Sequence, residues 1–228
     1  MIVGIHQPHY LPWLRYFEKI ARSDTFVVLD NIQYNKNGWQ NRNFVKGPSG
    51  RVLLTVPVYD SYRQTLDAVR INNKVPWRKK HARTIEQFYG SAPHFDAYAP
   101  AILDAYTRDW EFLNDLNRHK LHVYLEALQI ETPIVYASDL QVPGEATDRL
   151  VNLVRAVGGD TYYSGAYALE VYLDAEVLAA AGIGLALQEW EAPVYPQRYG
   201  AFEKDLSIVD LIMNCGPEAK EILLGATA

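Results

Sequence analysis

Short apolar runs alternate along the chain with longer stretches in which apolar residues recur every three or four positions. MIVGI (1–5) has the run of a short buried strand. LPWLRYFEKIARS (11–23) places Leu11, Leu14, Phe17 and Ile20 at helical spacing, with Pro12 suited to a first turn. DTFVVLD (24–30) is a second strand with a continuous apolar centre and a terminal carboxylate, Asp30. Strand, helix and strand within about 30 residues is the size of one βαβ unit. TPIVYASDL (132–140), DTYYSG (160–165) and IGLALQEWE (183–191) read as further strands. The helical patterns EATDRLVNLVRAVGG (145–159) and LEVYLDAEVLAAAG (169–182) lie between them. Strands apolar along their length suit a parallel sheet covered on both sides. The predicted fold class is α/β: a mostly parallel, Rossmann-like sheet with helices on both faces.

Two departures interrupt this alternation. NRNFVKG (41–47) and RVLLTVPVY (51–59) flank Gly47-Pro48-Ser49-Gly50 and predict a hairpin. Two helical patterns then follow without a strand, VPWRKKHARTIEQFYG (75–90) and RDWEFLNDLNRHKLHVYLEALQI (108–130). The second carries Trp110, Leu113, Leu116, Leu121, Tyr124 and Leu128 on one broad face. Periodicity thus predicts a single α/β domain over 1–228 with a helical insert at roughly 75–130. LSIVDLIMNCG (206–216) and PEAKEILLG (217–225) close the chain as helices, the first capped by Asp205 or Ser207.

Composition narrows the function classes. With 49% hydrophobic and 21% charged residues, the 228-residue chain can bury a full core. A net charge of −5 argues against nonspecific nucleic-acid binding and leaves room for a local basic site. One cysteine excludes an internal disulfide framework and a multi-cysteine zinc site, and suits a reducing cytoplasm. No basic segment followed by an apolar core opens the chain, so no signal peptide is expected. No apolar stretch nears the roughly 20 residues of a spanning helix, so no membrane insertion is expected. Sixteen tyrosines against seven phenylalanines supply ring faces with polar handles, for half-buried surface or for a sugar or base pocket.

Ligands of parallel α/β sheets gather beyond the carboxyl ends of the strands. Two polar segments fall there. His6-Gln7-Pro8-His9-Tyr10 follows the first strand and precedes a helix, whose N-terminal N–H groups attract anions. This strand, H-x-x-H, helix pattern loosely resembles the H-x-G-H signature of the nucleotidyltransferase and class I synthetase superfamily. Proline stands where that signature has glycine, and no second lysine-serine motif accompanies it. The bland alternative is a pair of histidines pinning a turn. Zinc is disfavoured, since three-apart histidines in a proline-containing turn are not a usual ligand spacing. The second segment follows Asp30. It sets Gln33, Gln40 and Asn41 among Tyr34, Lys36, Trp39 and Arg42. Amides suit hydroxyl-rich ligands, cations suit phosphate and rings suit a sugar or base. Asp30 could act as a general base. A hydrogen-bonded loop using amides as turn formers is the competing account.

Weaker candidates lie further on. Ser164 ends a strand before a helix, but its context is not the G-x-S-x-G of a hydrolase elbow. Tyr195, Gln197 and Arg198 form a polar loop. Cys215 has apolar neighbours and reads as a buried structural thiol, with a nucleophile paired to His6 or His9 as the alternative.

HQPHYLPWLRYFEKIARSDTFVVLD (6–30) and QYNKNGWQNRNFVK (33–46), with TYYSG, a YLD helix followed by AGI, and LSIVDLIMNCGP, resemble the WbqC-like protein family from Met1 to about Glu218. The resemblance implies a place among bacterial genes for surface polysaccharides and tailored sugars more than it implies a reaction. The leading expectation is a transferase that moves an acyl or aminoacyl group from a thioester or adenylate to an amine of a sugar nucleotide or specialised metabolite. His6 or His9 would be the base, Asp30 its orienter, and helix N–H groups or Gln33 and Asn41 the oxyanion donors. Gln7, Tyr10, Gln33, Tyr34, Lys36, Trp39, Gln40, Asn41, Arg42 and Ser164 would bind substrate. No cofactor is firmly implied. ATP with Mg²⁺, or an acyl thioester, would be a co-substrate, and an acyl carrier protein a partner. Three alternatives stand beside it: a nucleotidyl-transferring or adenylate-forming ligase, a thioesterase- or amidase-like hydrolase, and a non-catalytic sugar-nucleotide or carrier-binding module.

Overall fold

The computed structural model describes residues 1–59, 61–165, 167–171 and 173–225. In chain order the elements are β1 (Ile2–His6), α1 (Leu14–Ala21), β2 (Thr25–Val28), β3 (Arg42–Gly47), β4 (Gly50–Thr55), α2 (Trp77–Tyr89), α3 (Phe95–Asp104) and α4 (Leu113–Ala127). There follow β5 (Ile134–Tyr136), α5 (Ala137–Leu140), α6 (Ala146–Ala156), β6 (Thr161–Gly165), α7 (Tyr167–Val171), α8 (Ala175–Ala180), β7 (Gly184–Gln188), α9 (Ile208–Cys215) and α10 (Ala219–Leu224).

The chain gathers into two compact units. The first comprises Met1–Gln7, Glu18–Asn31 and Glu131–Glu191. Its described strands form a five-stranded sheet in the order β5-β2-β1-β6-β7, with every pairing parallel. The predicted α/β class with a parallel, Rossmann-like sheet is what the structure has. Val3, Ile5, Val27, Tyr162 and the apolar stripe Leu150, Val151, Leu153 and Val154 of α6 share one buried core. The stripe follows from α6 turning one apolar face inward while Arg149 and Arg155 are only partly buried or exposed. Gly4 lets β1 approach the turn before β2, since a Cβ there would lie 2.4 Å from Ser23 Oγ and 2.9 Å from the Phe26 ring.

The second unit comprises Pro8–Phe17, Ile32–Ile130 and Ala192–Ala228. It holds the predicted hairpin, with β3 antiparallel to β4 and Gly47 opposite Gly50. It also holds α2, α3 and α4 from the helix-rich stretch, and α9. Ser207 caps α9 by accepting a hydrogen bond from Val209 N at 3.3 Å; Asp205 instead takes a left-handed φ of 58°.

Three predicted helices change their limits, each for a local reason. Helix α1 starts at Leu14, because Leu11 adopts a φ of 50° and Pro12 precedes the helix. Asn43 Nδ2 holds that turn by donating to the Leu11 carbonyl at 2.7 Å. Helix α4 starts at Leu113, because Phe112 is extended and bridges Arg70. The helix predicted over 169–182 is two. Asp174 is extended, and its carboxylate accepts from Glu176 N (2.9 Å) and Val177 N (3.3 Å), starting α8 anew. Tyr172, within that predicted helix, and Ala166, in the serine-containing segment before it, lie outside the described residues. Among the described residues no helix is long and apolar enough to cross a membrane.

Candidate functional site

The order of the parallel sheet fixes where its reactive edge lies. From β1 the chain proceeds outward to β2 and β5 on one side, then returns to β6 and β7 on the other. The reversal between β1 and β6 is a topological switch point, where the crossovers on either side part and leave a crevice at the carboxyl ends. His6 is the last residue of β1, and Ser164-Gly165 ends β6. The pairing of Gly4 with Tyr163 sets these two ends side by side. The sequence therefore brings His6 and Ser164 to one edge because each closes an apolar strand.

His6 pairs with Val28 of β2, and its carbonyl accepts from Leu29 N at 2.8 Å. Its Nδ1 donates to the Gln7 carbonyl at 3.1 Å, which assigns the Nε2 lone pair as the acceptor of the ring. Burial, then the neighbouring Lys19 ammonium, push its pKa down to about 3, so the imidazole is neutral throughout the physiological range. Ser164 is buried and its hydroxyl donates to the Gly165 carbonyl at a long 3.3 Å.

Asp30, two residues beyond β2, is fully buried. One oxygen accepts from Ser138 N (2.9 Å) and the other from Ser138 Oγ (2.8 Å). This ties the end of β2 to the first turn of α5, a positioning task. Asp30→Ala is expected to cost about 1–3 kcal/mol, because it strands two partly buried donors. Urea denaturation of the variant measures that loss, and a change below about 0.5 kcal/mol contradicts the tie. Beyond it, Arg149 donates to the Asn31 side chain.

The same unit contains a buried carboxylate that the sequence reading passed over. Glu18 accepts from Tyr163 Oη (3.1 Å) and from Gln188 Nε2, with Arg22 Nε at 3.5 Å. Its partners lie within β6 and at the end of β7, so helical spacing alone gave no sign of the grouping.

The remaining predicted residues belong to the second unit. His9 is buried, edge-on to Trp13 (5.2 Å between centroids) and tilted on Tyr16 (5.5 Å). Trp39 packs edge-on to Trp13 at 5.2 Å, and its carbonyl accepts from Tyr10 N. The amide-rich loop uses much of its polarity on itself. Gln40 Oε1 accepts from Asn35 N (2.9 Å), Asn41 Nδ2 donates to the Val56 carbonyl (2.8 Å), and Arg42 donates to the Asn37 carbonyl. Gln33 is exposed and bridges Thr65, Lys36 is exposed, and Tyr34 is buried with its phenol pKa raised by that burial. The turn-forming account thus covers Gln40, Asn41 and Arg42.

Tyr10 departs from that account. Its buried hydroxyl is hydrogen-bonded to His81 Nδ1 (2.7 Å) and to the Tyr106 hydroxyl (2.8 Å). Lys120 Nζ lies 4.3 Å from the Tyr106 ring centre and 5.5 Å from that of Tyr124. Gln40 joins the group through its carbonyl, which accepts from Asn117 Nδ2 at 2.8 Å. Of this cluster, the sequence marks Tyr10 and Gln40 as candidate site residues and Tyr124 only as part of the broad face of a helix. A signal for the rest existed: Asn117 and Lys120 fall at helical spacing between Leu113 and Tyr124, on the stripe that α4 buries.

Lys46 Nζ, from β3, donates to Gln197 Oε1 (2.9 Å) and the Ala201 carbonyl (2.6 Å) in the loop before α9. Asp210 accepts from Tyr89 (2.9 Å) and Tyr195 (3.0 Å), and burial raises its pKa to about 6. Burial, then Asp210 and Glu218, push the Cys215 thiol up to about 11. In the folded protein at pH 8 it is expected to react with iodoacetamide about 100-fold more slowly than free cysteine, by mass-spectrometric labelling. Labelling at the free-thiol rate would contradict the buried assignment. Among the described residues no group of three or more His, Cys, Asp or Glu side chains is arranged to hold a metal ion.

Comparison with known proteins agrees with the resemblance in the sequence. The profile of the WbqC-like protein family matches residues 7–222. The chain is also similar to "Uncharacterized protein Rv1507c" of Mycobacterium tuberculosis (strain ATCC 25618 / H37Rv). The two are 33% identical over 225 residues, which covers 97% of this chain and 96% of the relative.

Proposed function

The chain belongs to the WbqC-like protein family, and we propose that it is a transferase acting on an amine of a sugar nucleotide or specialised metabolite. The group transferred is acyl or aminoacyl, carried by a thioester or an adenylate. The observation that carries this reading is the switch point of the parallel sheet, where His6 and Ser164 close adjacent strands.

The chemistry follows from the state of His6. A ring with a pKa of about 3 does not store a proton at neutral pH. Its Nε2 accepts a hydrogen bond from the neutral acceptor amine and aims the nitrogen lone pair at the carbonyl carbon. The new C–N bond forms as the carbonyl π pair moves onto oxygen. That oxygen is stabilised by the Ser164 hydroxyl on the same edge, which gives up its long 3.3 Å hydrogen bond to the Gly165 carbonyl to donate to it. Collapse breaks the bond to the thiolate or adenylate, and the amine proton leaves with that group. Asp30 acts through the backbone, holding the adjoining strand end through Ser138.

The test is product formation. The purified chain is incubated with amino-sugar nucleotides and either acyl-coenzyme A or an amino acid with ATP and Mg²⁺. Mass spectrometry looks for the amide. Amide formation that depends on the amine is the expected result. Donor cleavage at the same rate without amine makes the protein a hydrolase, and inertness towards every donor removes the transferase reading.

A further inference from the structure

Helix α4 turns polar side chains into the interior of the second unit. Asn117, Lys120 and Tyr124 lie at spacings of three and four, hence on one face. Each is at most 2% exposed. Among the described residues, Lys120 Nζ, Asn117 Oδ1 and Tyr124 Oη have no hydrogen-bond partner. The ammonium group instead faces rings, at 4.3 Å from Tyr106, 5.5 Å from Tyr124 and 5.8 Å from Tyr10.

Among the described residues no acidic group compensates it. Burial is the sole cause that brings its pKa from 10.5 to about 7. Burial, and then the cationic Lys120 and Lys80, push the neighbouring His81 ring down to about 3. Asp104 acts on His119, and its carboxylate is engaged by Arg108. The phenols of Tyr10, Tyr106 and Tyr124 are all held neutral by burial.

A buried amine without an acceptor is costly, and an apolar chain of similar length would fill the space without that cost. The partner that Lys120 lacks among the described residues is an anion. One ammonium and one phenol, with no arginine, match a single planar carboxylate better than a phosphate dianion, which calls for more donors. Asn117 Oδ1 is an acceptor awaiting a donor, such as an ammonium or hydroxyl beside that carboxylate.

We propose that Lys120, Tyr124 and Asn117 form a binding site for a small amino or hydroxy acid. Lys120 and Tyr124 donate to its carboxylate, and Asn117 Oδ1 accepts from its amino or hydroxyl group. Binding draws Lys120 into its charged form, so at pH 8 it takes up a proton. This goes beyond the transferase reading and does not depend on it.

The experiment is thermal shift and calorimetry on the full chain with glycine, alanine, lactate and acetate, with glycinamide and inorganic phosphate as contrasts. The acids are expected to raise Tm by about 2–4 °C at saturating concentration. Glycinamide and phosphate are not. At pH 8 the binding heat changes with the ionisation enthalpy of the buffer. Lys120→Met and Lys120→Gln, each checked for folding by circular dichroism, lose the shift. Asn117→Leu keeps the acetate response and loses the preference for glycine and lactate. His6→Ala keeps both, which separates this site from the transfer edge. The proposal is overturned if no acid raises Tm, if glycinamide or phosphate matches the acids, or if either Lys120 variant responds as the parent does.

Discussion

Replacing Lys120 with methionine is expected to stabilise the protein by about 2–4 kcal/mol at pH 7. The reason is the sign of the proton linkage. The lysine pKa falls from 10.5 to about 7 on folding. Between those values the unfolded chain holds a proton that the folded chain does not, so stability rises with pH across that interval. The lysine's full stability is present above pH 10.5, is lost progressively as pH falls to about 7, and stays lost below it. The depression corresponds to about 5 kcal/mol between the two limits. Methionine has nothing to titrate and keeps most of the contact with Tyr106 and Tyr124. The predicted gain is smaller than the linkage because some ring contact is lost with the ammonium. Urea denaturation at pH 7 and pH 10 is the measurement. The variant's advantage should be largest at pH 7 and shrink towards pH 10. A variant less stable than the parent at pH 7 would show that Nζ is satisfied by the chain itself.

How far the sequence reveals these features depends on what kind of signal each one leaves. The parallel sheet was legible because a strand buried on both sides leaves an unbroken apolar run, as in Thr25–Val28, whereas its helices leave a period near 3.6. The β3–β4 hairpin was legible through Gly47-Pro48-Ser49-Gly50, a turn that few other residues make. His6, Asp30 and Ser164 were legible as positions because each ends or follows an apolar run, and carboxyl ends are where α/β ligands gather. Partnership was not legible. That Asp30 meets Ser138, or Glu18 meets Tyr163 and Gln188, depends on contacts spanning more than a hundred residues. The Lys120 cluster leaves a register signal, the spacing of Asn117 and Lys120 between Leu113 and Tyr124, that its local sequence masks. Arg118-His119-Lys120 reads locally as a solvated helix turn, and only the rotation of α4 against Tyr10 and Tyr106 buries the lysine. Helix limits failed where a backbone competes with the helix, as Phe112 does by bridging Arg70.

His6→Ala is expected to lower kcat/KM for amide formation by about 10²–10³-fold while leaving the fold intact. In the proposed transfer the loss falls on the chemical step, because Nε2, which the Nδ1–Gln7 hydrogen bond sets as the acceptor nitrogen, would orient the attacking amine. The pH dependence separates this role from that of an ordinary histidine base. A ring titrating near 6.5 would impose an acid limb there. With its pKa at about 3, His6 stays neutral, and the rate should follow deprotonation of the substrate amine instead. Stability gives an independent check with the opposite consequence. The folded pKa lies below the ordinary 6.5, so the contribution of His6 is complete above 6.5 and is lost as pH falls towards 3. His6→Gln removes that titration. It should therefore unfold at lower pH than the parent even as it loses turnover at every pH. Acid unfolding followed by circular dichroism, set beside the pH profile of kcat/KM, reads both effects in the same two proteins. An acid limb near pH 6.5 that vanishes in His6→Gln would return His6 to the role of a conventional general base. Turnover unchanged in both variants would move the chemistry away from the β1 edge altogether.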